Sequence, residues 1–360
     1  VKLLISTTLP LKDQRGIEFS KDKADVNIFR QVHGLISDSW LVDRSNQIKL
    51  PFKSYSPDEY SLDFPKYHID LDTACFNRST ELINSNQPLY VLWSGGIDST
   101  LVVCSLLEAG IKKDQLFVVC NMDSLKENYT FFKKIQELAT IISTEKTIQM
   151  LKYATVDGLI VSAEHGDLLY GYDFSSEMLQ IFGPDYLNDS ISRENIVQYF
   201  VHKKLDQTSA NCWYDIFIES AKNSPRPINT TYDFSWWVGY NWRWQYALEK
   251  FRMRFANLKN STTFFSGVDM QNWAIHHQQP TISTLKDFKP EYKKNIARYT
   301  NDQDYLKNKI KHESTTLYYG SNSYAAILED QTRVSIKDFN LFSFYQQDNF
   351  IADWITKQHD

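Results

Sequence analysis

Between residues 88 and 170 the apolar positions recur in a fixed order. "PLYVLW" is an apolar run with β-branched and aromatic members and no polar alternation, as expected of a strand buried on both faces. The turn "SGGID" follows. "STLVVCSLLEAGI" then carries apolar residues at helical spacing and stops at Gly110, a residue suited to a helix C-terminus. The unit repeats, with "QLFVVCNM" predicting a second strand and "ENYTFFKKIQELATII" a second helix. "DGLIVSAEHGD" supplies a third apolar run that ends in small and acidic residues. Alternation of this kind predicts an α/β fold, a parallel twisted sheet with helices on its faces.

The flanks read differently. Residues 1 to about 70 mix short apolar runs such as "VKLLI" and "DSWLVD" with proline-bearing turns, which predicts a small N-terminal α+β layer. "DTACFNRSTELINSN" predicts a helix from Asp72 to about Asn86, with Ala74, Phe76, Leu82 and Ile83 as its apolar positions. Beyond Tyr172 the chain is rich in aromatic and polar residues and reads as mostly helical. No internal repeat or low-complexity tract is visible.

Composition narrows the choices. With 360 residues, 42% of them apolar, the chain can bury a substantial core. A net charge of −5 provides no global positive field to recruit nucleic acid or an anionic membrane, so an anionic ligand must be held locally. Cys75, Cys104, Cys120 and Cys212 show neither a CxxC pair nor zinc spacing and read as reduced core residues. The opening "VKLLISTTLPLKDQ" is too short an apolar run for a signal peptide, and no stretch of ~18 apolar residues suggests a membrane span; the expected location is the cytoplasm.

The candidate chemistry lies in "SGGIDST", at the carboxyl end of the first strand, where ligands collect in parallel sheets. Gly95 and Gly96 let the backbone approach an anion, and Ser94, Ser99 and Thr100 add hydroxyl donors. The turn reads as a phosphate cradle. An aspartate in such a cradle is electrostatically awkward unless a cation lies between them, so Asp98 implies Mg²⁺, which takes carboxylate and phosphate oxygens together. The GxxxxGK[ST] pattern of P-loop nucleotidases is absent. The bland alternative is a tight strand-to-helix connection with Asp98 favoured by the helix dipole.

"SGGIDS" resembles the signature of the PP-loop ATP pyrophosphatases, which cleave ATP between the α and β phosphates. The resemblance implies an adenine nucleotide alpha hydrolase-like fold, with ATP and Mg²⁺ as cofactors and the loop gripping the departing pyrophosphate. "VSAEHGDLLYGY", Val161 to Tyr172, resembles the GEGADELFGGY segment of asparagine synthetases and β-lactam synthetases, with Glu164, Asp167, Leu169 and Gly171 matching. Carried over, Asp98 and Asp167 form the metal pair. Leu168 stands where the family has a glutamate, and His165 and Gly166 replace Gly-Ala. "RMRFANLKNSTTFFSGVDMQNWAI" is a fainter likeness to RMxMAxxLExRxPFLD. Arg252, Met253, Ala256 and Phe265 agree, while Thr262 and Phe264 replace an arginine and a proline. "YLKNKIKHEST" resembles the Arg-x-Lys near the C-terminal side of that domain, so Lys309 or Lys311 is the expected catalytic lysine, stabilising charge in the transition state.

The resemblance spans roughly residues 72 to 315. It divides the chain into the N-terminal layer 1–70, an ATP-binding synthetase domain 71–330 and a C-terminal extension 331–360. The implied activity is an AMP-forming C–N ligase that adenylates a small-molecule carboxylate or amide-like oxygen and lets a nitrogen nucleophile displace AMP. Glutamine-using members begin with a nucleophilic cysteine, whereas the first cysteine here is Cys75. Free ammonia, an amine or a separate ammonia donor would therefore bring the nitrogen. Two other outcomes stay open: a PP-loop enzyme modifying tRNA or a nucleobase, and a nucleotide-binding protein without catalysis. Trp236, Trp237, Trp242 and Trp244 interleave with Arg243, Arg252 and Arg254, which could stack bases, yet Trp237, Trp244 and Leu248 recur at helical spacing and favour core packing. His276 and His277 read as ordinary loop or core histidines.

Overall fold

The apolar runs form the centre of a five-stranded, all-parallel sheet. β1 (Leu89–Leu92) pairs with β2 (Leu116–Cys120), setting Leu89 opposite Leu116, and with β4 (Leu159–Ser162), setting Leu89 opposite Leu159. β3 (Thr140–Ser143) lies outside β2 and β5 (Ser261–Thr263) outside β4, so the order is β3-β2-β1-β4-β5. From β1 the chain builds outward through β2 and β3, then returns past β1 to build β4 and β5. The reversal falls between β1 and β4, the place where an open parallel sheet leaves a crevice at its strand ends.

This computed structural model describes residues 43–45, 67–143, 158–203, 205–244, 260–277 and 280–310, together with the backbone of strands β6 (Tyr324–Ile327) and β7 (Arg333–Ile336). Most of the N-terminal layer, and Leu248, Arg252, Met253, Arg254, Ala256 and Lys311, lie outside the described residues. β6 and β7 pair as an antiparallel hairpin that straddles the expected boundary at 330/331.

Helices flank the sheet. α1 (Leu71–Ile83) is capped by Asp70, whose carboxylate accepts the Thr73 amide at 2.8 Å, and packs with α2 (Ile97–Glu108). α2 ends at Gly110, which takes φ +83° after the C-cap Ala109. Ala74 and Leu82 are buried as expected, but Phe76 is 55% exposed. The expected second helix is α4 (Tyr129–Leu138), and an unforeseen short α3 (Met122–Glu127) precedes it, the two separated at Asn128, whose side chain accepts the Phe131 amide. Its predicted tail is β3 instead. Pairing of the β-branched Thr140, Ile141 and Ile142 with β2 outweighs a helical continuation.

Past β4 the chain is helical: α5 (Gly166–Tyr170), α6 (Tyr172–Phe182), α7 (Pro184–Asn188), α8 (Arg193–His202), α9 (Gln207–Ala221) and α10 (Thr231–Trp237), the last running into a π-helical turn at Val238–Trp242. α11 (Val268–His276) follows β5, and α12 (Pro290–Thr300) and α13 (Gln303–Asn308) return to the sheet, α12 packing along α2. Two apolar clusters result. One joins the sheet to α1, α2 and α12, and the other unites α6, α8, α9 and α10. Trp236, Trp237, Trp242 and Trp244 are all fully buried. The Trp237 and Trp242 indoles both donate to Ser220 Oγ at 2.9 Å, so these rings serve packing.

All four cysteines are free. Burial pushes the Cys75 thiol up to about 12 and Cys120 to about 11, which leaves both protonated and unreactive near neutral pH. No helix among the described residues is long and apolar enough to cross a membrane.

His277 stacks on Trp273, with ring centroids 4.7 Å apart, and its Nε2 lies 3.5 Å from Glu291 Oε2. Burial pushes its pKa below the ordinary 6.5, Glu291 opposing and Arg226 and Lys294 reinforcing the shift. Below pH 6.5 the unfolded ring therefore binds more proton than the folded one, and stability falls as the solution is acidified toward the lowered folded pKa. A His277→Gln variant is expected to show a shallower decline of the urea midpoint over that window than the wild type.

Candidate active site

The turn after β1 and the turn after β4 face each other across the strand-order reversal. Gly95 takes φ +79°, and a Cβ on it would stand 2.4 Å from the Ser124 carbonyl and 2.8 Å from Glu127 Cβ, so only glycine lets this turn lie against α3. Ser99 sits below the turn. Its hydroxyl accepts the Ser94 amide at 3.1 Å and lies 3.0 Å from Ser94 Oγ, while the Gly96 amide donates to Ser94 Oγ at 3.3 Å. Gly96 is the N-cap of α2 and provides no side-chain cap, which leaves the positive end of a 12-residue helix facing the crevice.

Thr100, expected among the phosphate donors, lies elsewhere. It is fully buried, and its hydroxyl accepts the Trp93 indole N–H at 3.1 Å. At the fourth position of α2 it falls on the helix face that meets the core.

On the other side, β4 leads through a left-handed residue, His165 (φ +74°), into the short α5. The imidazole fixes this turn from within. Its Nε2 donates to the Trp244 carbonyl at 2.8 Å, its Nδ1 lies 2.8 Å from Thr263 Oγ1, and its ring stacks on Trp244 at 4.1 Å. Because a carbonyl can only accept, Nε2 carries a proton. The next residue, Gly166, brings the backbone against Asp98: a Cβ there would stand 2.7 Å from Asp98 Cγ and 2.8 Å from Oδ1. A Gly166→Ala variant is therefore expected to fold, with an unchanged far-UV circular dichroism spectrum, while displacing the Asp98 carboxylate.

Asp98 and Asp167 meet at one cation. Lys289 Nζ lies 2.5 and 2.6 Å from the two Asp98 carboxylate oxygens and also donates to Asp167 Oδ1. The Lys289 side chain is fully buried, and those of Asp98 and Asp167 are 15% and 26% exposed. An ammonium removed from water in this way survives only if its donors are met, and the two carboxylates meet them.

Lys289 escaped the reading of the sequence. It lies in "KDFKPEYKKN", where nothing in the spacing separates it from Lys286, Lys293 or Lys294. The one local signal is Pro290, which starts α12 and leaves Lys289 as its N-cap. That residue adopts φ +58° and ψ +44°, a left-handed conformation that directs the side chain back toward α2 and α5.

The expected catalytic lysine is placed at the other rim. Lys309, at the end of α13, donates to Glu127 Oε1 and, at 3.3 Å, to the Glu127 carbonyl, beside the wall on which Gly95 rests. Lys311 lies outside the described residues. The hydroxyls of Tyr292 and Tyr305 are both buried, and that of Tyr292 has no hydrogen-bond partner among the described residues. Both phenols are held well above their usual range, chiefly by burial and then by nearby negative charge that includes Asp98.

The departures from the resembled motifs have structural counterparts. Leu168 is 4% exposed in the core, so its side chain faces away from the crevice. Tyr170, in place of a phenylalanine, donates to Glu291 Oε2 at 2.6 Å and so ties α5, which carries Asp167, to α12, which begins beside Lys289. Thr262, in place of an arginine, accepts from Arg78 at 2.9 Å; Arg78 also donates to the Thr263 carbonyl at 2.9 Å and the Phe264 carbonyl at 3.2 Å. That guanidinium pins the end of β5 to α1. Phe265 is buried and stacks on Tyr292, with ring centroids 5.3 Å apart.

No protein-family model and no curated protein matches this chain.

Proposed function

We propose that this chain is an ATP- and Mg²⁺-dependent synthetase of the PP-loop kind, with an adenine nucleotide alpha hydrolase-like fold. It activates a carboxylate or amide-like oxygen as its adenylate and passes the acyl group to ammonia or an amine. The observation that carries the proposal is the convergence of Asp98 and Asp167, from the ends of the neighbouring strands β1 and β4, on a single positive charge at the reversal of strand order. Two carboxylates this close repel each other without a cation, and parallel sheets bind their ligands at such a reversal.

Among the described residues no group of three or more His, Cys, Asp or Glu side chains could hold a metal ion. Mg²⁺ is commonly held by one or two carboxylates and completes its shell with phosphate oxygens and water. Asp98 and Asp167 supply two such carboxylates, and the ammonium already between them marks a place for positive charge. When bound, Mg²⁺ would neutralise the diphosphate that leaves.

The rest falls to the chain. The open start of α2 would meet the β- and γ-phosphates, while the Ser94 and Gly96 amides are taken by the Ser99 and Ser94 hydroxyls, which hold the turn in shape. The substrate oxygen attacks the α-phosphorus as the α–β bridging bond breaks and pyrophosphate departs. The nitrogen nucleophile then attacks the acyl carbon, AMP leaves, and the nitrogen gives up its proton. Lys309 lies at the loop's rim, positioned by Glu127, where an ammonium can offset charge on the departing phosphates. Catalysis is then positioning and charge neutralisation.

Measuring AMP and pyrophosphate release from ATP with panels of small carboxylic acids and amines tests the proposal. Acid-dependent release supports it. Nucleotide binding without AMP formation favours a non-catalytic nucleotide-binding protein, a reading to which the apolar, buried Leu168 lends weight. RNA-dependent turnover would point to a tRNA- or nucleobase-modifying enzyme, for which the enclosed tryptophans provide no stacking platform.

A further inference from the structure

We propose that Lys289 is a resident counter-ion for the aspartate pair, competing with the dication for the same oxygens and released toward the phosphates when the metal is bound. The inference rests on the proposed role of Asp98 and Asp167 as the metal pair.

An ammonium has three N–H donors and no acceptor. At Lys289 the three go to Asp98 Oδ1, Asp98 Oδ2 and Asp167 Oδ1. While it holds the carboxylates, the lysine has no donor left for a phosphate, and those carboxylate oxygens are the hard ligands a magnesium ion would need. The two cations therefore compete for these oxygens.

The surroundings favour an exchange of place. The Lys289 ammonium lies 5.6 Å from the Tyr172 ring centroid and 5.8 Å from that of Tyr292, so aromatic faces that tolerate a cation flank it. Its backbone is held left-handed ahead of Pro290, an uncommon conformation for a residue with a side chain, which aims a long flexible stem at the crevice. Held this way, the carboxylates stay together and partly desolvated before any metal arrives. A charge of the right sign also stands ready beside the place where diphosphate charge develops.

The test uses the nucleotide-free full chain, wild type and Lys289→Met, melted in EDTA and in excess MgCl₂. Without Mg²⁺ the variant should melt on the order of 10 °C below the wild type, because two facing carboxylates lose their counter-ion. MgCl₂ should restore most of that loss while shifting the wild type little, and the variant should bind Mg²⁺ at least about tenfold more tightly. A lysine that only packs would give a deficit that Mg²⁺ leaves untouched, and that result overturns the inference, as does an equal Mg²⁺ response in both proteins. If Lys289→Met does not fold, the Lys289→Met/Asp167→Asn double variant decides: recovery of the fold supports mutual carboxylate repulsion, and continued failure rejects it. Magnesium rescue in a protein that never releases AMP would retain the counter-ion and discard the synthetase. Acid-dependent AMP release without such rescue would do the reverse.

Discussion

An Asp98→Asn variant is expected to lose ATP–pyrophosphate exchange by roughly 10²–10³-fold or more, the scale on which removing one preorganised charge-stabilising group acts, while keeping its fold. The fold should survive because the Lys289 ammonium still has the Asp167 carboxylate, and an asparagine carbonyl can accept one of the N–H bonds that Asp98 now takes. Exchange should fail because a neutral amide is a poorer ligand than a carboxylate for the Mg²⁺ that would neutralise the pyrophosphate. Asp167→Asn should behave alike, through the same shared cation. Undiminished exchange in a folded Asp98→Asn protein would refute the metal role of the pair, and with it the proposed chemistry.

A Gly171→Ala variant should cost about 2–5 kcal/mol of stability, combining ~1–2 kcal/mol for the left-handed backbone with ~1–3 kcal/mol for overpacking. Gly171 takes φ +68° between α5 and α6, and an added Cβ would stand 2.6 Å from Trp236 Cα and 2.8 Å from its Cβ. The Trp236 backbone has little freedom to yield, since its indole donates to the Leu169 carbonyl at 3.0 Å and its ring stacks on Tyr240. Arg226 lies over the same ring, its guanidinium carbon 3.5 Å from the centroid. A urea midpoint equal to that of the wild type would show that this junction between the sheet and the helical layer is softer than its geometry implies.

Some of this was legible in the chain itself. The apolar runs at 89–92, 116–120 and 159–162 became three adjacent parallel strands, because a strand covered on both faces needs an unbroken apolar sequence and few other elements do. The short edge strands were not legible: "TII" and "STT" carry too few residues to show a period, and pairing with β2 and β4 makes them strands. Phe76 illustrates the same limit. Its spacing suits a helix, but which helix face meets α2 depends on where α2 lies.

The site divides in the same way. Sequence alone determined the glycine turn, the aspartate within it and a second acidic residue after the third strand, since these are local requirements of backbone shape and charge at strand ends. Only the tertiary structure decided that Asp98 and Asp167 share one cation, that this cation is Lys289, that Lys309 is paired with Glu127, and that Thr100 belongs to the core. The ion pairs among these reach across many residues of chain, 191 between Lys289 and Asp98. A lysine's stem is long and carries no pattern of its own, so its charge acquires an address only when the folded backbone gives it a direction and nearby carboxylates give it a reason to stay.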